Sequence, residues 1–163
     1  MRLAIRRITK EDDKAIANII RTVMPEFGAS GQGFAIHDNE VDNMFEAYSQ
    51  PRCAYFVCAI EGMVVGGAGI APLAGGDVNT CELKKMYFLP AGRGKGFGKQ
   101  VLLQCLKAAK EDGFTYCYLE TFNTMKDAIN LYEKTGFKQI PGALGNTGHF
   151  ACDTFYGIEL TGE

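Results

Sequence analysis

The sequence has little net charge and no long apolar run. Its 17 Lys and Arg residues are balanced by 19 Asp and Glu, for a formal net charge of -2 at pH 7. Binding to a nucleic-acid backbone requires clustered basic surface, which this composition does not suggest. No stretch reaches the length of a membrane span, and the start of the chain shows no signal peptide. We therefore expect a cytoplasmic protein with neither nucleic acid nor membrane as a partner.

The sequence is also poor in the patterns that bind metal or form disulfides. It has only two histidines, His37 and His149, which lie far apart, and it has no Cys-x-x-Cys pair. This spacing does not support a zinc site, so we expect no metal. Most of the six cysteines lie in apolar strand or helix patterns, where a free thiol behaves as a small hydrophobic side chain. We expect them to be reduced and structural: Cys53, Cys58, Cys81, Cys105, Cys117 and Cys152.

Glycine, in contrast, is concentrated in one stretch. Between Glu82 and Gln100 an alternating strand pattern leads into a turn with glycine at positions 92, 94, 96 and 98, followed by a helical pattern from about Gly98. Such spacing keeps side chains away from the backbone, so a ligand can reach the N–H groups directly. The N-terminus of a helix also favours anions, and Arg93, Lys95 and Lys99 add positive charge there. The pattern predicts a phosphate or pyrophosphate site.

The remaining periodicities predict one domain over residues 1–163, with element order β-α-α-β-β-β-α-β-α-β-β. Hairpin-linked strands before the crossover helix do not suit a Rossmann domain, where strands and helices alternate, so we expect a mixed sheet. Asp38 is expected to cap the second helix. The predicted strands are Leu3–Ile8, Ala54–Ile60, Met63–Ile70, Cys81–Leu89, Thr115–Phe122, Phe137–Ile140 and Ala151–Leu160; the predicted helices lie near residues 9–24, 41–48, 98–112 and 125–135, and residues 25–33 are expected to form a loop.

Two motifs resemble those of the GNAT superfamily of N-acetyltransferases. Arg93-Gly94-Lys95-Gly96-Phe97-Gly98 matches the family signature Arg/Gln-x-x-Gly-x-Gly/Ala between a strand and a helix. Residues 128–137, Ala-Ile-Asn-Leu-Tyr-Glu-Lys-Thr-Gly-Phe, match the family's second conserved helix. The resemblance implies the GNAT fold of the α/β (α+β) class, with a mixed, mostly antiparallel sheet of about seven strands and about four helices. It also implies transfer of an acetyl group from acetyl-CoA to an amine.

Other glycine-rich loops fit less well. A P-loop requires Gly-x-x-x-x-Gly-Lys-Ser/Thr, but Gly98-Lys99 is followed by Gln100. A dinucleotide-binding loop requires Gly-x-Gly-x-x-Gly, and neither Phe97 nor Lys99 supplies the third glycine. A glycine turn with a structural role alone is the remaining alternative.

The resemblance also implies where the cofactor binds. The pyrophosphate would be held by the backbone of Arg93, Gly94, Lys95, Gly96, Phe97, Gly98 and Lys99. The pantetheine arm would lie along the preceding strand at Met86 and Phe88, with the N–H of Met86 polarising the thioester carbonyl. Many members have an asparagine where this chain has Met125, and Asn123 is the nearest substitute.

Two residues are expected to do the chemistry. By resemblance, Tyr132 is the proton donor to the CoA sulfur, although a core tyrosine on an apolar helix face is the alternative. Glu82 is the expected general base, and a salt-bridged carboxylate beside Lys84 is the alternative. A strand period of two would place Glu82, Lys84, Met86 and Phe88 on one face.

The acceptor side is less defined by the sequence. In the family, the acceptor pocket is formed by the loops corresponding to residues 25–37 and 141–150, which makes Phe27, Phe34 and His149 the candidate substrate-binding residues. We expect a primary amine of a small molecule or amino acid, and a homodimer is possible by resemblance. The alternative is a non-catalytic acyl-CoA-binding sensor or regulatory domain of the same fold.

Overall fold

We describe the protein from a computed structural model, which covers residues 2–29 and 31–160. The strands are β1 Leu3–Arg7, β2 Ala54–Ile60, β3 Met63–Pro72, β4 Thr80–Phe88, β5 Tyr116–Thr121, β6 Lys138–Ile140 and β7 Thr154–Glu159. The α-helices are α1 Asp13–Glu26, α2 Met44–Ala47, α3 Phe97–Glu111 and α4 Lys126–Thr135. Short 3-10 turns cover Lys10–Asp12, Ala35–His37, Asn39–Asp42 and Pro90–Gly92. No helix in these ranges is long and apolar enough to cross a membrane.

Within the described residues, all seven strands form one sheet in the order β1-β2-β3-β4-β5-β7-β6. Of the strand pairs that the described residues form, only β4–β5 is parallel. The helix α3 provides the crossover between these two strands, as a parallel connection requires. The predicted mixed, mostly antiparallel sheet of seven strands with four helices is confirmed.

Each face of the sheet is covered by one apolar layer. On one face, α3 and α4 pack with residues such as Leu102, Leu106 and Tyr132 against Phe56 and Leu119. On the other face of the sheet, α1 and α2 pack against β2. This second layer includes Ile16, Ile20, Met44, Tyr55 and Val57. The buried side chains of α1, among them Ile16 and Ile20, therefore form the face of that helix which contacts the sheet.

The sequence-based boundaries are wrong in two places around α1 and α2. Pro25 was placed in a loop, but it lies in the last turn of α1, where its missing N–H removes only one helical hydrogen bond. The second helix is mostly 3-10 turns followed by the single turn α2. Asp38 does not cap it with its side chain; its carboxylate instead contacts Lys85 and His149. A charged partner across the fold has replaced the local capping interaction.

A β-bulge in β4 changes which residues share a face. Lys84 pairs with Gly69 and Tyr87 pairs with Gly67, so two residues, Lys85 and Met86, lie opposite the single residue between those glycines. Lys85 has a φ of 53°, in the left-handed region. The extra residue shifts the alternation by one. The prediction that Glu82, Lys84, Met86 and Phe88 share one face is therefore wrong.

After the bulge, Met86 and Phe88 belong to the layer formed with α3 and α4. Tyr87 belongs to the opposite layer, with α1. Glu82 and Lys84 line cavities on that second side. The bulge thus places the predicted cofactor-binding residues Met86 and Phe88 on the opposite face of the sheet from the predicted base, Glu82.

Candidate active site

The glycine loop presents unpaired backbone N–H groups at the start of α3. Within the described chain, the N–H groups from Gly94 through Lys99 donate to no backbone carbonyl, and the first helical bond runs from Gln100 N to Gly96 O at 3.2 Å. Gly94 and Gly96 have φ values of 73° and 81°, a conformation that glycine adopts without strain. A Cβ atom at Gly94 would meet nothing within 4 Å, so space for a ligand remains beside the backbone. The geometry is that of an anion site.

Arg93 has a different role from the one that its charge suggested. Its guanidinium forms a bidentate ion pair with Glu26 of α1, at 2.7 and 3.0 Å. Its Nε donates to the carbonyl of Phe88 at 3.0 Å, and the group lies 5.6 Å from the ring centre of Phe27. The side chain therefore connects the loop to the end of β4 and to α1. The groups of the loop that remain available to bind an anion are its backbone N–H groups.

A cavity of about 230 Å³ adjoins this loop. Its lining comes from the end of β4, the glycine loop, α4 and the end of α1: Val23, Phe27, Met86, Tyr87, Phe88, Gly92, Arg93, Gly94, Gly96, Phe97, Gly98, Met125, Asp127, Ala128 and Leu131. Most of the predicted cofactor residues are therefore brought together around one space. The predicted acceptor residue Phe27 also lies here, on the side of the glycine loop.

The cavity exists because β4 and β5 separate. These strands pair only from Thr80 to Glu82 on β4 and from Tyr116 to Tyr118 on β5. Beyond that point no β5 residue pairs with Met86 or Phe88. An extended ligand can lie in the gap and contact the free edge of β4, as in β-strand addition.

Several predicted residues are not part of this lining. Lys95 lies on the loop and Lys99 in the first turn of α3, and neither belongs to the cavity wall. Asn123 is exposed, with its backbone N–H bonded to Asp153, whereas Met125 lines the cavity. Phe34 packs edge-on against Phe122 at 5.3 Å between ring centres.

Tyr132 lies in the apolar layer that also contains Met86. Only 5% of its surface is exposed, and its ring packs against Phe137 and Tyr156 at 5.7 and 6.4 Å between centres. Burial raises the pKa of its hydroxyl above the ordinary value of a tyrosine. The group is therefore neutral and protonated at physiological pH, as a proton donor must be before the reaction.

On the other side of the bulge, buried charges form a connected network. The Lys85 ammonium, with 1% of its side chain exposed, lies 2.6 Å from Asp38 and 2.8 Å from Glu40. Asp38 in turn contacts Nε2 of His149 at 2.8 Å. Nδ1 of His149 lies 3.3 Å from Glu120. The imidazole is therefore held between two carboxylates.

These contacts shift the ionisation of the network. Burial alone would lower the pKa of His149, but the hydrogen bonds that its imidazole donates to Asp38 and Glu120 raise it to about 9. Burial would raise the pKa of Asp38, but His149 and Lys85 outweigh it and lower the pKa to about 2. At neutral pH, His149 is a cation and Asp38 an anion.

Glu82 lies next to this network without joining its hydrogen bonds. Only 5% of the residue is exposed, and its carboxylate accepts no hydrogen bond within residues 2–29 and 31–160. Burial raises its pKa to about 7, with Glu120 acting in the same direction and Lys84 and His149 opposing. A carboxylate with this pKa can exchange protons near neutral pH.

Glu82 borders two cavities on the acceptor side. A small inner cavity of about 40 Å³ is lined by Glu82, His149 and Tyr87, among other residues. Tyr87 also lines the cavity of about 230 Å³ beside the glycine loop, which we call the cofactor-side cavity. An open outer cavity of about 460 Å³ is lined by Glu82, Lys84 and His149, among other residues. The inner space is large enough for a water molecule. Glu82 therefore lies on the wall of both acceptor-side cavities, and Tyr87 lies between the inner one and the cofactor-side cavity.

Sequence reasoning missed four members of this site: Asp38, Glu40, Lys85 and Glu120. The sequence predicts only a helix-capping role for Asp38, no role for Glu40, and no role for Lys85 beyond its place in a strand. The one available signal was Glu120, a carboxylate inside the otherwise apolar pattern of β5. Its partners come from distant parts of the chain, which no local pattern reveals.

The mixed sheet, with a glycine loop between β4 and α3, has the fold of solved acetyltransferase structures. A family model described as the acetyltransferase (GNAT) family matches residues 16–137, more than half of the chain. The chain belongs to this family. It is an N-acetyltransferase, and acetyl-CoA is its cosubstrate, so both expectations are confirmed at this level.

Individual relatives agree with this assignment. The uncharacterized N-acetyltransferase YjgM of Escherichia coli is 50% identical over 91% of this chain and 90% of its own length. An N-acetyltransferase from Staphylococcus aureus Mu50 has a TM-score of 0.76 at 26% identity, covering 99% of this chain and 100% of the other. The yncA structure from Salmonella typhimurium, a putative acetyltransferase solved with its cofactor acetyl-CoA, has a TM-score of 0.76 at 24% identity, covering 99% and 95%.

Proposed function

We propose that the chain transfers the acetyl group of acetyl-CoA directly to a primary amine of a small molecule or amino acid. The observation that carries this proposal is the position of Glu82, a buried carboxylate with a pKa of about 7 on an inner cavity whose wall includes Tyr87, which also lines the cofactor-side cavity. An attacking ammonium must lose a proton before its nitrogen can attack, and a base with this pKa accepts one at neutral pH. Glu82 is the proposed base, directly or through one water.

The other residues take supporting roles in this proposal. The N–H groups from Gly94 through Lys99 bind the pyrophosphate, and the free edge of β4 at Met86 and Phe88 binds the pantetheine arm. The backbone N–H of Met86 polarises the thioester carbonyl, which stabilises the charge that develops on its oxygen. Tyr132 donates a proton to the leaving CoA sulfur. The amine enters through the outer cavity, where His149 contributes to the wall.

A panel of amines with acetyl-CoA, read by release of free CoA, tests this proposal. We expect turnover with at least one small primary amine and its loss in Glu82→Gln. Binding of CoA without turnover across a broad panel would favour the alternative, a non-catalytic sensor of acyl-CoA.

The acid role of Tyr132 has a separate test. Tyr132→Phe keeps the ring contacts with Phe137 and Tyr156 and removes only the hydroxyl. We expect kcat to fall by roughly 100-fold, the low end for general acid catalysis, because a thiolate is already a fair leaving group. An unchanged kcat at saturating substrates would remove the proposed role.

A further inference from the structure

Three side chains converge on the acceptor side from separate parts of the fold. Glu82 comes from β4, Glu120 from β5, and His149 from the loop before β7. One ligating atom from each lies within 4.8 Å of the other two. Glu120 and His149 have hydrogen-bond partners, whereas the carboxylate of Glu82, a residue only 5% exposed, makes no hydrogen bond or ion pair within residues 2–29 and 31–160. No fully buried side-chain oxygen in these residues lacks a partner, so the Glu82 oxygens reach the adjoining cavity and are open to a ligand from solution.

We propose that Glu82, Glu120 and His149 form a binding site for a divalent transition-metal ion, Zn²⁺ being the ion that fits the ligand set best. Zinc binds imidazole nitrogen and carboxylate oxygen, and sites with three protein ligands keep a further position open for water. The nearby inner cavity supplies room for that water. The site lies in the acceptor pocket and is separate from the glycine loop.

The surrounding contacts already orient the ligands as a metal would require. A metal-bound histidine almost always donates its other ring N–H to a carboxylate. Here Asp38 lies 2.8 Å from Nε2 of His149, which leaves Nδ1 on the side of Glu120. Glu120 is itself held by the hydroxyl groups of Tyr118 and Thr147, at 2.8 and 2.6 Å. On binding, the ion replaces the Nδ1 proton, which leaves to solvent.

The charges of the network also favour a dication. The pocket contains four carboxylates, on Asp38, Glu40, Glu82 and Glu120, and three cationic groups, on Lys84, Lys85 and His149. With all seven ionised, one negative charge is in excess. A divalent ion that binds neutral imidazole adds two positive charges and removes one, which balances the pocket. A monovalent ion at the same place would leave the excess unchanged.

Bound metal would act as an inhibitor. It would occupy the carboxylate that is the proposed base, so the amine could neither bind beside Glu82 nor lose its proton there. Inhibition should be competitive with the amine and not with acetyl-CoA, which binds beyond Tyr87. Ion binding does not depend on the proposed function, whereas this inhibition does.

Calorimetric titration of Zn²⁺ into the full chain, after removal of trace metal with a chelator, tests the site. We expect one ion per chain. Glu82→Gln, which preserves shape, should weaken binding by at least about 100-fold, and Asp38→Asn by about 10- to 100-fold, the usual effect of losing an outer-shell partner. Thermal unfolding and CoA binding confirm that each variant is folded.

Two sets of controls isolate these ligands. His37→Gln changes the chain's other histidine, which lines the same outer cavity, and should leave zinc affinity unchanged. Cys53→Ser removes a half-buried thiol outside the inner cavity and should have no effect. Cys152 lines the inner cavity beside Glu82 and His149, so Cys152→Ser tests whether this thiol is itself a ligand, and zinc affinity should be retained. The proposal is overturned if wild type binds no zinc, if Glu82→Gln binds it equally well, or if either serine variant abolishes binding.

An activity measurement then separates the two proposals. Zinc should raise the apparent KM for the amine, measured from loss of the thioester because zinc binds free thiols. If calorimetry shows the site but zinc has no effect on turnover, the metal site stands and the placement of Glu82 as base fails.

Discussion

At the scale of single residues, Glu82 combines burial with the absence of a hydrogen-bond partner among the described residues. The neighbouring carboxylates are compensated: Asp38 by Lys85 and His149, Glu40 by Lys85 and the Tyr48 hydroxyl. Both have a pKa below the ordinary value, and both are fixed as anions at neutral pH. Glu82 has a raised pKa because burial dominates. It is therefore the carboxylate of the pocket best suited to accept and release a proton.

The pH dependence of acetyl transfer should report this carboxylate. In wild type we expect kcat/KM to rise as the pH increases through about 7, because a base must be unprotonated. In Glu82→Gln this inflection should disappear and the rate should fall by about 100-fold or more. Ionisation of the amine itself appears at higher pH in both proteins. Glu46→Gln, at an exposed position on α2, is the control; the same inflection in Glu82→Gln as in wild type would exclude Glu82 as the titrating base.

At the scale of elements, the glycine loop depends on its backbone conformation. Gly96→Val should weaken CoA binding by at least about 10-fold, because the side chain obstructs approach to the N–H groups and the positive φ disfavours valine. Gly113→Val is a matched control, since Gly113 also has a positive φ of 87° but lies beyond the far end of α3. We expect it to lower stability similarly and to leave CoA affinity unchanged. Equal affinities for wild type and Gly96→Val in a binding titration would remove the loop from the cofactor site.

At the bulge in β4, the buried ammonium of Lys85 is expected to stabilise the fold through its two ion pairs. Lys85→Met should lower the free energy of unfolding by about 3–5 kcal/mol, because Asp38 and Glu40 would lose their buried counter-charge. Lys84→Met is the control: its ammonium is 3.7 Å from Glu40 and more exposed, so we expect a loss of less than about 1 kcal/mol. Urea denaturation measures both values. Equal losses for the two variants would contradict the structural role assigned to Lys85.

These elements also show what could be predicted from the sequence. The glycine loop and α4 are local patterns, so residue types at fixed spacing were sufficient to locate them. The bulge was not predictable, because it arises from the register of β4 against β3 and moves Met86 to the opposite face from Glu82. The polar network was not predictable either, since His149 and Asp38 are 111 residues apart in sequence. Local sequence patterns therefore predicted the glycine loop and α4, whereas the residues of the polar network could be brought together only by the fold.

At the scale of the whole molecule, the seam between β4 and β5 separates two parts of the sheet. The strands pair over only three residues each, and the two parts diverge around the cofactor-side cavity. A ligand in this gap would contact β4, the glycine loop and α4 together. Such a ligand should stabilise the folded chain, since it binds the native arrangement and not the unfolded chain.

The identity of the stabilising ligand can be tested by thermal unfolding. CoA at about 100 times its Kd should add about 2.7 kcal/mol to the free energy of unfolding, which for a chain of this size raises Tm by roughly 5–11 °C. ATP with Mg²⁺ should have no comparable effect, because the loop lacks the Lys-Ser/Thr pair of a P-loop. Gly96→Val should lose most of the CoA shift, whereas Gly113→Val should retain it. A shift with ATP that equals the shift with CoA would instead assign the glycine loop to nucleotide phosphates in general.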